Sequence, residues 1–213
     1  MSSLSSGDSA FRTVLSTETR SLDLAFPTPV KPAKLAHVVI RSPRFAESCA
    51  WWAKVLVAAP SYKNERLSFM TYDEEHHRIG IINIAELQNQ DFSKAGVEHV
   101  AFTYASLGAL LATYKRLCSE GIEPFWTINH GPTISMYYRD PDATKVELQY
   151  DVFPTPGGVE AFFASGAYEE NFMGIIFDPE KMVRDFESGK PIEEIVARPK
   201  LPPGMTPWDM HRS

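Results

Sequence analysis

The fold is decided by two short runs, KLAHVVIRSP at 34–43 and its echo VEHVAF at 97–102. Val38, Val39 and Ile40 predict a buried strand, yet His37 sits beside them. A lone histidine in a strand is ordinarily a core residue with one satisfied hydrogen bond. Recurrence changes that reading, because His99 holds the equivalent place in the second run.

The segments downstream of the two runs are also alike. After the first comes Ser42-Pro43, read as a helix N-cap and first helical position, then Phe45, Cys49, Trp52 and Leu56 at helical spacing. After the second comes Ser106 as N-cap, then an apolar stripe of Leu107, Leu110, Leu111, Tyr114, Leu117 and Cys118, with Gly121 ending the helix. Short strands are expected at 60–63, 66–72 and 77–84, and again at 124–128, 133–139 and 144–150, with Asp-Pro-Asp (140–142) turning between the last two. The order is βαβββ twice, an α+β fold of duplicated units that bury their faces together. The expected organisation is an N-terminal arm (1–32), a two-module domain (33–153, modules about 33–90 and 95–153) and a C-terminal extension (154–213).

Composition narrows the function. Of 213 residues, 44% are hydrophobic and 23% charged, enough apolar surface for a real core. The net charge of −6 and the lack of a Lys/Arg cluster argue against a nucleic-acid partner, and no apolar run is long enough for a membrane span. The first 30 residues lack an apolar signal core and carry Asp8, Glu18 and Asp23, so neither a secretory signal nor an organelle transit peptide is expected, and the cytosol is. Cys49 and Cys118 form no metal or disulfide pattern and read as buried apolar residues.

Strand alternation sharpens the histidines. Leu35, His37 and Val39 share one face, as do Val97, His99 and Ala101. In TKVELQY, Val146 and Leu148 suit a helix-covered face, which turns Glu147 to the opposite side with Lys145 and Gln149. His37, His99, Glu147 and Tyr137 are thus expected to converge on one concave face. Two imidazoles and one carboxylate make a facial triad suited to non-haem iron(II) with open coordination positions.

These runs, with HHRIGI and HGPTISMYYRDPDATKVELQY, resemble the vicinal oxygen chelate superfamily of glyoxalases, bleomycin-resistance proteins and extradiol dioxygenases, over residues 33–153. The resemblance is closest to type I extradiol ring-cleavage dioxygenases. It implies paired βαβββ modules forming a cup around a metal held by His37, His99 and Glu147. The metal implied is Fe(II), with Mn(II) or another divalent ion as alternatives. It implies a small catechol-like aromatic substrate and O₂. It gives His77, in the His76-His77 pair, the role of proton carrier, and it matches Tyr137, ten residues before Glu147, to an acid–base tyrosine. Tyr138 would replace Tyr137 if a bulge shifted the register. His130 would either bond a substrate oxygen or order its loop. Glyoxalases add a fourth ligand on the fourth strand, and residues 80–83 offer none. The competing functions are a metal-dependent lyase, isomerase or cyclase, and a metal-free small-molecule binder. In the extension, FMGIIF (172–177) reads as an added strand, Asp178-Pro179-Glu180 starts a helix that Gly189 stops, and PKLPPGMTPW reads as a wrapping arm. A strand outside a complete core suggests a homodimer wrapped by this extension.

Overall fold

The computed structural model describes residues 28–213, so residues 1–27 of the expected arm lie outside it. The chain divides into two units, Met1–Ala36 and His37–Ser213. The described part of the first, residues 28–36, forms no helix or strand. Among the described residues, every helix and strand belongs to the second unit.

The first module runs β1 (Val38–Ser42), α1 (Phe45–Leu56), β2 (Ala59–Lys63), β3 (Leu67–Thr71) and β4 (Ile79–Asn83). The second repeats it with β5 (His99–Tyr104), α2 (Leu107–Ser119), β6 (Trp126–Asn129), β7 (Thr133–Arg139) and β8 (Lys145–Asp151). In each module the first and last strands pair in parallel and the others antiparallel. The first sheet has the order β1-β4-β3-β2; the second, β5-β8-β7-β6, gains β9 (Ile175–Ile176) at its β6 edge. The duplicated α+β architecture expected from the two runs is therefore present.

Alternation sets the faces. Ile40, Ile79, Ile81, Val146 and Leu148 join Trp52, Leu110 and Leu117 in one core shared by both modules, while Val39 is 47% exposed on the opposite side. The first strand begins at Val38, whose N–H donates to Arg78 O (3.0 Å), so Leu35 and His37 precede the strand that was expected to hold them.

The second helix is capped as expected: Ser106 Oγ accepts from Ala109 N–H at 3.1 Å, and Gly121 takes φ +76° just past the end. The first is not. Ser42 ends β1 instead of capping α1, and Arg44 occupies the cap position without a side-chain capping bond. Ser42 Oγ accepts from Arg44 N–H (3.0 Å) and meets Ser48 Oγ (2.9 Å), so it shapes the corner between strand and helix. Cys49 is buried in the core, Cys118 only partly, and both are free thiols.

The β7–β8 turn ties the modules together. Asp140 accepts from Trp52 Nε1 across the modules (3.1 Å) and from the N–H groups of Asp142 and Thr144 (2.9 and 2.8 Å). Asp142 accepts from Ser48 Oγ (2.8 Å) and lies 3.1 Å from Arg44 Nε.

The C-terminal extension folds on its own chain. Besides β9 it forms α3 (Pro156–Ala164), α4 (Ala167–Glu170), α5 (Pro179–Glu187), α6 (Ile192–Ile195) and a 3₁₀ turn (Pro207–Met210). Asp178 caps α5, Pro179 opens it, and Gly189 follows it at φ +78°, as expected. FMGIIF contributes only the two residues of β9, which pair antiparallel with β6 of the same chain. β6 of the same chain thus pairs one side of this strand, and β9 becomes the edge of the second sheet. The final arm also stays on its own sheet, where Met210 O accepts from Trp126 Nε1 at 2.9 Å. Among the described residues no helix is long and apolar enough to cross a membrane.

Asp140→Ala should strand the buried Trp52 N–H and two turn N–H groups together. The expected loss is about 2–4 kcal/mol, read as a lower urea midpoint at unchanged slope.

Candidate functional site

Glu147 lies on β8 between Val146 and Leu148, both fully buried on the helix side, so alternation turns its carboxylate to the other face. The parallel register sets Ala101 opposite Glu147 and His99 opposite Lys145. His99 Nε2 then comes within 2.9 Å of Glu147 Oε2. On β7, Tyr137 sits directly opposite Glu147, and its hydroxyl bonds to the carboxylate, as does Ser135. Tyr138 points into the core, so no bulge is needed and Tyr137 is the residue on the site.

Glu147 is only 4% exposed. Burial pushes its carboxyl up, but hydrogen bonds from His99 and Ser135 outweigh this and hold it below the usual range. The same bond to Glu147 raises His99 to about 9; burial opposes it and a bond to Glu98 adds to it. Burial and the Glu147 charge push the Tyr137 phenol up, so it keeps its proton.

His130 occupies the β6–β7 turn, where its N–H donates to Thr133 O (3.0 Å). Its ring Nδ1 lies 2.5 Å from Met173 O, and a carbonyl only accepts, so Nδ1 carries the hydrogen. Burial lowers the pKa of His130, which leaves Nε2 a bare acceptor 3.1 Å from the Tyr137 hydroxyl. One phenolic proton thus faces two acceptors, His130 Nε2 and Glu147. Trp126 stacks on Tyr137 (4.6 Å between ring centres, 29° between planes) and fixes the ring from the side. His130 thus ties its own turn to the C-terminal extension and hydrogen-bonds Tyr137.

The first module supplies a second cluster. His77 is 7% exposed and sandwiched between His37 (ring centres 4.1 Å) and Phe69 (4.3 Å). Its Nδ1 lies 2.6 Å from His76 Nδ1, and burial, then His37 and His76, lower its pKa. His76 turns outward at 70% exposure, with Nε2 3.4 Å from Glu75. His77, not His76, therefore lies beside His37. The face they share includes Val39 and Gly80, since a Cβ on Gly80 would meet Val39 Cγ2 at 3.2 Å and Phe69 at 3.5 Å.

His99 and Glu147 are brought together as expected, but His37 does not complete a triad with them. Its ring stacks on His77, and among the described residues no three His, Cys, Asp or Glu side chains are grouped to hold a metal. The physical reason is its place just ahead of β1, where stacking rather than strand register sets its ring. β1 and β5, the end strands of their sheets, both line one cavity of about 460 Å³ that also includes His99. Sequence reasoning passed over Glu98, whose carboxylate bonds His99 Nδ1 and lies 2.6 Å from Lys145 Nζ. It also passed over the Met173 carbonyl, which only the folded chain brings to His130.

The sequence model of the Glyoxalase/Bleomycin resistance protein/Dioxygenase superfamily matches residues 34–148. Biphenyl-2,3-diol 1,2-dioxygenase 2 of Rhodococcus globerulus is 40% identical over 163 residues, which cover 76% of this chain and 86% of the relative. Biphenyl-2,3-diol 1,2-dioxygenase 3 of the same organism is 35% identical over 167 residues, 78% and 88% of the two chains. Among solved structures, a glyoxylase/bleomycin resistance protein/dioxygenase domain from Frankia sp. EAN1pec shares the fold at 16% identity and a TM-score of 0.50, covering 59% of this chain and 96% of that one.

Gly131, next to His130, adopts φ +101°, and an added Cβ would lie 2.4 Å from the Phe162 ring. Gly131→Ala is expected to cost about 1–3 kcal/mol in a urea melt. Adding Phe162→Leu should return part of it, because the clash is relieved and the backbone strain is not.

Proposed function

The chain belongs to the glyoxalase/bleomycin resistance protein/dioxygenase superfamily, and from that premise we propose that it is an extradiol-type ring-cleavage dioxygenase acting on a catechol-like aromatic with O₂. The observation that carries this is the similarity to two biphenyl-2,3-diol 1,2-dioxygenases over more than four-fifths of their length, in a chain whose His99, Glu147, Tyr137 and His130 form one hydrogen-bonded set.

The donor types, two imidazoles and one carboxylate, suit a divalent metal. His99 Nε2 and a buried Glu147 carboxylate already face each other, and His37, one residue ahead of β1, offers a second imidazole from the other module. His37, His99 and Glu147 are the proposed ligands, and two imidazoles with one carboxylate suit Fe(II), with Mn(II) the nearest alternative. Bound there, the metal would supply Lewis acidity toward a vicinal diol and redox chemistry toward O₂.

The remaining work falls to the chain. β4 contributes no further donor: Ile79 and Ile81 point into the core, and Gly80 between them has no side chain to offer. That keeps space beside the ligands for a diol and O₂ and disfavours a four-ligand lyase site. His77 uses Nδ1 toward His76, which leaves Nε2 to exchange a proton with the substrate. With its pKa lowered, His77 is neutral near pH 7 and takes a proton before it returns one. Tyr137 holds its proton beside Glu147 and can hydrogen-bond a substrate oxygen while His130 Nε2 stands ready to accept. The stacked Phe69 walls the site with an apolar ring. A homodimer in the cytosol is the setting proposed with this activity, the dimer being checked by sedimentation.

Protein purified without oxygen should bind about one Fe(II) per chain, and His37→Ala, His99→Ala and Glu147→Ala should each lose most of it. Full metal content in all three variants would overturn the ligand set. O₂ uptake with a panel of catechols tests the reaction.

His77→Phe should retain iron and lose turnover about 10²–10⁴-fold, while His76→Phe should be mild. A sensitive His76 and an indifferent His77 would move the proton role to the exposed ring.

A further inference from the structure

The parallel pairing of β5 with β8 places His99 and Lys145 side by side, and Glu98 reaches back to join them. Lys145 is a charged side chain only 6% exposed, whereas Glu98 is 57% exposed. Lys145 Nζ lies 2.6 Å from one Glu98 oxygen and 4.4 Å above the Phe92 ring, which shields it from the linker side. The other Glu98 oxygen bonds His99 Nδ1. His99 Nε2 in turn faces Glu147. Charges alternate along one line: ammonium, carboxylate, imidazolium, carboxylate.

We propose that Glu98, held by the buried Lys145, is a positioning residue that fixes which nitrogen of His99 is offered to the metal. This rests on the proposed role of His99 as a metal ligand. Both ring nitrogens face carboxylates, which only accept, so both carry hydrogens while Glu147 is turned to the ring; were Glu147 to turn to a metal, Nε2 would give up its hydrogen and Glu98 would keep the one on Nδ1. Carboxylates hydrogen-bonded to ligand histidines both orient the ring and raise its basicity. Lys145 holds Glu98 in place, and it does so from the strand that also carries Glu147, so ligand and positioning group move as one element.

The arrangement makes a distinctive prediction for glutamine. Glu98→Gln keeps the shape but leaves one acceptor oxygen for two donors. The buried ammonium of Lys145 has the stronger claim on it. The amide NH₂ then points at His99 Nδ1 and favours the tautomer with hydrogen on Nε2, the wrong nitrogen for a metal. Glu98→Gln should therefore weaken Fe(II) binding about 10–100-fold, measured anaerobically by competition with a chromogenic chelator. In Glu98→Gln/Lys145→Met the amide oxygen is released to accept from Nδ1, and most of the lost affinity should return.

His99→Ala, run in parallel, separates the ligand role from the positioning role. Wild-type Fe(II) affinity in His99→Ala overturns the ligand assignment itself. Loss in His99→Ala with wild-type affinity in Glu98→Gln overturns only the positioning role. If Glu98→Gln is weak and the double variant is as weak or weaker, Glu98 acts through a simple salt bridge and the proposal also falls. Thermal melts of each variant establish that the fold is retained, which the exposure of Glu98 favours.

Discussion

A slip of one residue between β5 and β8 would dismantle the site. Side chains alternate along a strand, so the slip would send Glu147 into the helix-covered core and Val146 onto the cup. Val146 and Leu148 prevent it, because both are fully buried and have no other apolar surface to fill. The hydrophobic effect acting on these two residues thus holds a carboxylate where it would otherwise be unfavourable. Leaving Glu147 buried and unpaired would cost several kcal/mol, about what an isolated charge demands. His99, Ser135 and Tyr137 offset that cost, and each is set by the register of a strand beside β8.

The same hairpin also joins the two modules. Its turn, through Asp140 and Asp142, reaches Trp52, Ser48 and Arg44 of the first helix and its corner. The β7–β8 hairpin therefore carries Glu147 and Tyr137 midway along its length and anchors the other module at its tip. The C-terminal extension adds a third constraint. Gly174 approaches β6 so closely that a Cβ would lie 2.5 Å from Asn129 O, and the adjacent Met173 carbonyl sets the tautomer of His130. A segment outside the duplicated core thereby determines which nitrogen faces Tyr137.

Periodicity and repetition made the modules legible. The α2 stripe, its Ser106 cap, the 140–142 turn and the inward Glu147 follow from spacing alone, because burial on one face forces that spacing. What escaped was whatever depends on contacts between distant residues. Ser42 has the composition of a cap, yet the chain needed Pro43 and Arg44 to turn the corner before the helix began. FMGIIF has the composition of a free strand, yet an open edge on β6 lay within its own chain. His130 and Tyr137 were both visible as residues, but only the hairpin brings their polar atoms together. Glu98 was invisible because nothing in sequence marks it as the partner of a lysine 47 positions away. His37 was legible as the counterpart of His99, but its stacking on His77 was not.

Duplication also explains why the two halves do different chemistry. His37 corresponds to His99, Val39 to Ala101, and in register Val39 pairs with Gly80 as Ala101 pairs with Glu147. Gly80 is therefore the first module's counterpart of Glu147. Were both positions carboxylates, the cup would hold a symmetric set of two imidazoles and two carboxylates, with less room for the proposed diol and O₂ together. Glycine at position 80 leaves that side open, and Val39 and Phe69 close around it at 3.2 and 3.5 Å from where a Cβ would stand. The Phe69 ring beside Gly80 also stacks on His77, whose other face meets His37. The second module carries a carboxylate at this position and a Glu98–Lys145 pair beside its histidine. The first carries glycine, and the proposed proton carrier lies against an aromatic wall on the same face.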